Sequence, residues 1–216
     1  MKYILRMVSL LICMAMALGL AGCSKESPYP EGYEKYKAVI GDTREESLKK
    51  LKLNESDLLA ETQNSYLLPT VVEFCGYKFE VRLYYDRISD RLFSVQYQTF
   101  TDEISGVPVL YDKMIELFGT PGNTGFEEQY FTRLAEKKKG SLSAGWSMYR
   151  FTEEHHPEFA KYLEEINTAR DRNFTWAWNA NLSCNYRTDL EKYSILMSFR
   201  VGENQSPSWR PGQERN

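Results

Sequence analysis

The chain has 216 residues, of which 42% are hydrophobic, 14% aromatic and 26% charged, a composition that excludes disordered, collagenous and low-complexity classes. Its 27 Lys and Arg against 30 Asp and Glu leave a net charge of −3, which excludes a broadly cationic nucleic-acid binder. These averages describe the body of the chain and not its N-terminus.

Lys2 and Arg6 flank the start of an apolar run from Met7 to Leu18 that only Ser9 interrupts. That is the charged start and short apolar body of an export signal, shorter than the ~20 residues of a membrane-spanning helix. Leu20-Ala21-Gly22-Cys23 follows, then polar Ser24-Lys25-Glu26-Ser27. This run resembles the lipobox of bacterial lipoproteins. The resemblance implies removal of residues 1–22 and a diacylglyceryl group on the Cys23 thiol, anchoring the exported chain to the bacterial cell membrane or outer membrane. The chemistry suits it, since a thiolate is a good nucleophile for alkylation and stable anchoring needs two acyl chains.

Residues 23–37 carry Pro28, Pro30 and Gly32 and show no periodicity, so a flexible tether is expected there. Residues 203–216 are poor in apolar side chains and are expected to form a disordered tail. Between them, residues 38–202 should form an α+β domain.

Thr43 with Glu46 makes a capping box ahead of Leu48 and Leu51, predicting a helix over 44–51 with a short turn near 55–60. Thr70–Phe74 is β-branched and reaches Cys75-Gly76, a tight turn into Tyr77–Tyr85. There Phe79, Val81, Leu83 and Tyr85 alternate with Lys78, Glu80 and Arg82, the period of a half-solvated antiparallel strand. Asp86–Arg91 turns the chain into a third strand, Leu92–Gln98. The order then restarts. Pro108 opens a helix with an apolar stripe through Phe118, and Gly119 closes it. After an insertion-like stretch come strands at Gly145–Phe151, Thr175–Asn179, Leu182–Arg187 and Tyr193–Val201, interrupted by a charged helix over Pro157–Arg170. The expected architecture is an antiparallel sheet with helices packed on one face. It reads as a tandem helix-plus-meander repeat with subunits 38–100 and 106–202.

From Ala38 to Val201 this pattern resembles the SmpA/OmlA-type outer-membrane assembly lipoproteins and the β-lactamase-inhibitor-like domains. The residues carrying it are the capped helix Asp42–Leu51, the Leu117-Phe118-Gly119-Thr120-Pro121 helix exit and the strand order after each helix. The resemblance implies exported, helix-plus-meander binding domains, and no functional residue carries over except Cys23.

Cys75 and Cys184 are the thiols left after Cys13 and Cys23 are assigned to the signal and the lipid. They are either a disulfide or two separate buried thiols. His155 and His156 lie among Glu153, Glu154 and Glu158, types that a metal or acid–base site uses. Adjacent residues lack the i, i+4 placement of paired helical ligands, however. The segment is equally a polar loop before a helix. Phosphate-cradle, nucleophile-elbow and zinc-ligand spacings are absent, so no cofactor or metal is expected. Lys137-Lys138-Lys139 is either a solvated loop or a contact for phosphate or an acidic partner.

Aromatics are abundant, with 4 Trp, 15 Tyr and 11 Phe. Trp176 and Trp178 share one strand face, while Tyr84 sits with Arg82 on the polar face of its strand. These four are either core packing or a recognition surface, because Tyr, Trp and Arg are the usual interface anchors. The function expected is a lipid-anchored, non-enzymatic binding or scaffolding module with an envelope protein partner and no nucleic acid. The alternatives are a glycan or small-solute binder using exposed aromatics, or an envelope enzyme with its site at His155/His156.

Overall fold

The computed structural model describes residues 27–150, 157–169 and 176–203. The lipobox with Cys23, the His155/His156 loop and residues 204–216 lie outside the described residues.

Three tyrosines decide how the chain enters the fold. Tyr29 stacks on Tyr33 with ring centroids 4.5 Å apart, Tyr33 meets the edge of Phe199, and Tyr36 meets Tyr97. Helix α1, Tyr33–Lys37, buries Tyr33 and Tyr36. The segment expected as tether to residue 37 is therefore partly core, because large apolar rings at this spacing gain more from burial than the short helix costs to order. Helix α2, Arg44–Leu51, begins with both hydrogen bonds of the capping box and buries Leu48 and Leu51. A 3₁₀ turn follows at Glu55–Asp57.

Strand β1, Ala60–Thr62, was not anticipated, and β2 runs over Ser65–Phe74, starting earlier than its β-branched core suggests. β1 pairs only with Ser65, Tyr66 and Leu67. Pro69 thus lies on a stretch of β2 with no outer neighbour, where its missing N–H costs nothing. β3, Tyr77–Tyr85, and β4, Leu92–Thr101, complete the first meander.

Cys75 and Gly76 join β2 to β3 with φ of 49° and 79°, and Phe74 pairs directly with Tyr77. Positive φ at both central residues is the two-residue hairpin turn that favours Asn-Gly. Cysteine tolerates the left-handed region poorly. Cys75→Asn is expected to stabilise the protein by about 0.5–1 kcal/mol, read as a higher urea midpoint. A lower midpoint would show that the thiol's packing outweighs the turn.

Helix α3, Val107–Phe118, ends at Gly119 with φ of 77°. The stretch read as an insertion holds a two-residue strand β5, Asn123–Thr124, and helix α4, Glu128–Lys137. Leu134 of α4 is buried, and Tyr193 donates its hydroxyl to the Leu134 and Ala135 carbonyls. Lys138 caps α4 in the left-handed conformation with its ammonium over the Tyr186 ring, so the lysine run begins at the last residue of α4 and continues into exposed chain at Lys138 and Lys139. β6, Ser141–Arg150, α5, Pro157–Ala169, β7, Trp176–Arg187, and β8, Lys192–Glu203, follow. β7 is one continuous strand where the sequence suggested two, because Asn179 and Asn181 stay in register with β6 on one side and β8 on the other rather than breaking the ladder.

All strands join one antiparallel sheet in the order β1-β2-β3-β4-β8-β7-β6-β5. Each half's meander thus meets the other through its last strand, with Val95 opposite Phe199 and Tyr97 opposite Met197. Val81, Leu83, Val95, Tyr97, Met197 and Phe199 share one face and are buried. Helices α1 to α4 all contact that face: Tyr33 reaches Phe199, Ser47 shares a hydroxyl bond with Tyr85, Phe118 packs on Trp146, and α4 receives Tyr193. The α+β architecture is as expected, with α1 to α4 layered on one face. Residues of both halves belong to one hydrophobic cluster, so the two halves form a single core. α5 reaches the β3–β4 hairpin, where Tyr162 donates to the Asp86 carboxylate at 2.7 Å.

Candidate functional site

Because side chains alternate across a strand, the residues between the core positions line the opposite face of the sheet. Register places them in rows. One row runs Ser65, Tyr84, Ser94, Arg200, Asn179, Ser147 from β2 to β6. The next runs Leu67, Arg82, Gln96, Ser198, Asn181, Gly145 and reaches Asn123 on β5. Further along, Val71, Glu80, Gln98, Leu196, Ser183 and Ser143 make a third. This face is dominated by hydroxyls and amides.

Its short side chains are shielded by longer neighbours. Ser94 lies between Tyr84 and Arg200 and is buried, as is Ser198 between Gln96 and Asn181, while Arg200 is exposed and Arg82, Tyr84, Gln96 and Asn181 are half-buried. Ser147 donates to Asn179 Oδ1 at 2.8 Å and Gln98 to Ser194 Oγ at 3.2 Å. Such bonds across the ladder fix the rotamers of a polar surface that water would otherwise loosen. The Ser94 hydroxyl has no hydrogen-bond partner.

The charges on this face are distributed unevenly. Arg82 donates to Ser65 Oγ at 3.2 Å and makes no ion pair, and Arg200 makes neither a hydrogen bond nor an ion pair among the described residues. No carboxylate occurs in the two rows that hold them. Glu80 is the next residue after Arg82 on the same face of β3, in the adjacent row, and Glu73 and Lys78 lie farther along β2 and β3 toward the Cys75-Gly76 turn.

The sequence-predicted site residues separate by face. Arg82 and Tyr84 stand on the open face. Trp178 belongs to the core: it is 2% exposed, packs on the helix side, and donates its indole N–H to the Tyr33 hydroxyl at 3.3 Å. Trp176 is partly buried against the same core. The two tryptophans do share a face, as their spacing indicates, but it is the covered one, since indole burial is worth more there than at the surface. Of the two readings open for Trp176 and Trp178, core packing is the one their burial supports.

Cys75 and Cys184 are both free thiols, not a disulfide. Cys75 sits in the β2–β3 turn, whereas Cys184 is buried within β7. Burial pushes the Cys184 thiol up to about 12, so it is protonated at neutral pH and acts as a small apolar core residue. Among the described residues, no group of three His, Cys, Asp or Glu side chains is placed to hold a metal, and no helix is long and apolar enough to cross a membrane.

The amide ladder of β7 was the feature missed in the sequence. Its signal was present, since Asn179, Asn181, Ser183 and Asn185 alternate with Ala180, Leu182, Cys184 and Tyr186 without interruption. Asparagine's association with turns hid a period of two. Comparison with protein-family models, curated proteins and solved structures finds no match to this chain.

Proposed function

We propose that the protein is an exported, lipid-anchored, non-enzymatic binding module of the bacterial cell envelope that meets a protein partner through the open face of its sheet. The observation carrying this reading is the asymmetry of the sheet. Helices α1 to α4 contact one face, and the other presents rows of Ser, Asn and Gln with Arg82, Tyr84 and Arg200 at their centre. Hydroxyls and amides donate and accept hydrogen bonds but exchange no protons near neutral pH. They suit recognition rather than acid–base chemistry. The lipobox at Leu20–Cys23 supports the anchor, which would hold the domain close to envelope components and raise their effective concentration.

The test uses the full chain in its native membranes, with a photo-reactive residue at Gln96 or Asn181 on the open face, or at exposed Lys49 on α2. A discrete protein adduct is expected from the two sheet positions and not from Lys49. Identical products from all three, or none from the sheet, would refute the reading. In the same preparation Cys23→Ser should move the chain from the membrane pellet to the soluble fraction; retention in the pellet would dismiss the lipid anchor.

A further inference from the structure

We infer that the helix layer, around the start of α1 and the end of α3, rests on the surface of the membrane that holds the lipid anchor, so that the open face of the sheet is turned away from that membrane. The inference rests on the anchor at Cys23 proposed above and adds the orientation which that anchor imposes.

The place where the fold takes hold of the chain is the first argument. Tyr29 stacks on Tyr33 and tilts against Phe118 with ring centroids 5.9 Å apart. Both of those rings pack on Phe199, which belongs to the covered face of the sheet. Pro30 is buried, and its carbonyl accepts the Tyr33 N–H at 3.0 Å. Ser27 and Pro28 are exposed. The chain therefore reaches the surface at Ser27 through the helix layer, on the side of the sheet opposite the Ser, Asn and Gln rows.

Reach is the second argument. Cys23 and Ser27 are four residue steps apart. A chain spans at most about 3.6 Å per residue, so the two Cα atoms lie within about 14 Å of each other whatever conformation the residues between them adopt. A sheet with one helix layer is about 20 Å thick. With the open face against the bilayer, Ser27 would stand beyond both layers, about 20 Å from the surface and farther than four residues reach. The stack of Tyr29 on Tyr33 and Phe199 also ties the exit to β8, fifth of the eight strands. Resting on either sheet edge would lift it by three or four strand spacings, about 14–19 Å, to the limit of the tether or past it. The helix layer brings the exit to the surface with the tether slack. Exposed Glu34 and Lys35 give α1 both signs of charge, so attraction to anionic lipid is not what sets the orientation. A partner then approaches the open face from outside the plane of the anchoring membrane.

The experiment reconstitutes the lipidated full chain into vesicles of phosphatidylethanolamine and phosphatidylglycerol that carry an energy-transfer acceptor on the headgroup. A fluorescent amino acid replaces Glu34 on α1 or Ser143 on the open-face side of β6, one per chain; both side chains are exposed, so neither replacement empties the core. Transfer from the α1 site should be at least about twice that from the β6 site, which lies one helix and one sheet farther from the bilayer. A Gly-Ser insertion of about 20 residues after Ser24, spanning about 25 Å as a coil, should bring the two values together by letting the domain turn over. Equal transfer from both sites with the native tether, or stronger transfer from the β6 site, would overturn the orientation, while flotation of the chain with the vesicles leaves the anchor standing. A difference that survives the insertion would overturn the short tether as its cause, and the inference with it. Transfer from neither site, with the chain left in solution as Cys23→Ser is expected to be, removes the anchor and everything built on it.

Discussion

Phe199→Ala is expected to destabilise the protein by about 3–5 kcal/mol, the range for deleting a fully buried aromatic side chain. Phe199 is 1% exposed on β8, and its ring lies 4.8 Å from Tyr33, 5.7 Å from Tyr97 and 5.8 Å from Phe118. It therefore joins α1, β4 and α3 at the centre of the sheet, where the two halves meet. The cavity left behind is bounded by strands hydrogen-bonded on both sides, which cannot close in to fill it, and so the cost belongs in the upper part of the range. Phe100→Ala is the matched control. Phe100 is 38% exposed on the open face and its truncation should cost far less. Urea unfolding, with the slope checked for constancy between variants, measures both. A loss below about 1.5 kcal/mol for Phe199→Ala would mean that the rings repack and that no single side chain ties the helices to the sheet.

Arg44→Ala should cost about 2–4 kcal/mol, combining loss of two cation–π contacts with loss of charge-assisted hydrogen bonds. The guanidinium lies 5.2 Å from the Tyr66 ring centroid and 5.1 Å from that of Tyr85. It also donates to the Asp90 carboxylate and the Gln63 carbonyl. One side chain thereby binds the start of α2 to the β1–β2 turn and to the β3–β4 hairpin. Burial disfavours its charge, but hydrogen bonds to Tyr66 and Asp90 outweigh that and raise its pKa, so the group stays cationic at any working pH. Arg44→Lys separates charge from shape. Lysine keeps the charge and loses both the flat stack and the fork, and should forfeit about half of the alanine effect. If lysine restored full stability in the same urea measurement, the contribution of Arg44 would be charge alone and the ring contacts incidental.

The parts of the fold legible in the sequence were those with strong local signals. The capping box at Thr43–Glu46 and the alternation of Tyr77–Tyr85 gave helix and strand with their observed bounds. Gly119 marked the end of α3. The elements that escaped are held by tertiary contacts. α1 is five residues long and exists because Tyr33 and Tyr36 have Phe199 and Tyr97 to pack on. β1 and β5 are too short to carry a pattern and are defined only by their neighbours.

The site was half visible. Arg82 and Tyr84 were placed correctly because β3 has a clean period of two, with apolar residues marking the covered side. Trp176 and Trp178 were placed on a common face, but a strand's sequence does not say which face is covered when both carry aromatic or small residues. That choice is made by the helices, and α1, whose Tyr33 receives the Trp178 indole N–H, was itself unforeseen.

The position of β8 matters for the order in which the protein is made. The last described strand to leave the ribosome does not extend an edge; it enters the middle, pairing with β4 on one side and β7 on the other. Until it arrives, β4 offers a long unpaired edge bearing Val95 and Tyr97, the kind of edge that recruits foreign strands. Closing the sheet then joins residues about a hundred positions apart, at a loop-closure cost that grows only slowly with length. A nascent chain kept from aggregating until its C-terminal strand emerges can still complete the sheet. A chain shortened before Lys192 loses the joint between its halves rather than a margin, and what remains is two partial sheets with open inner edges.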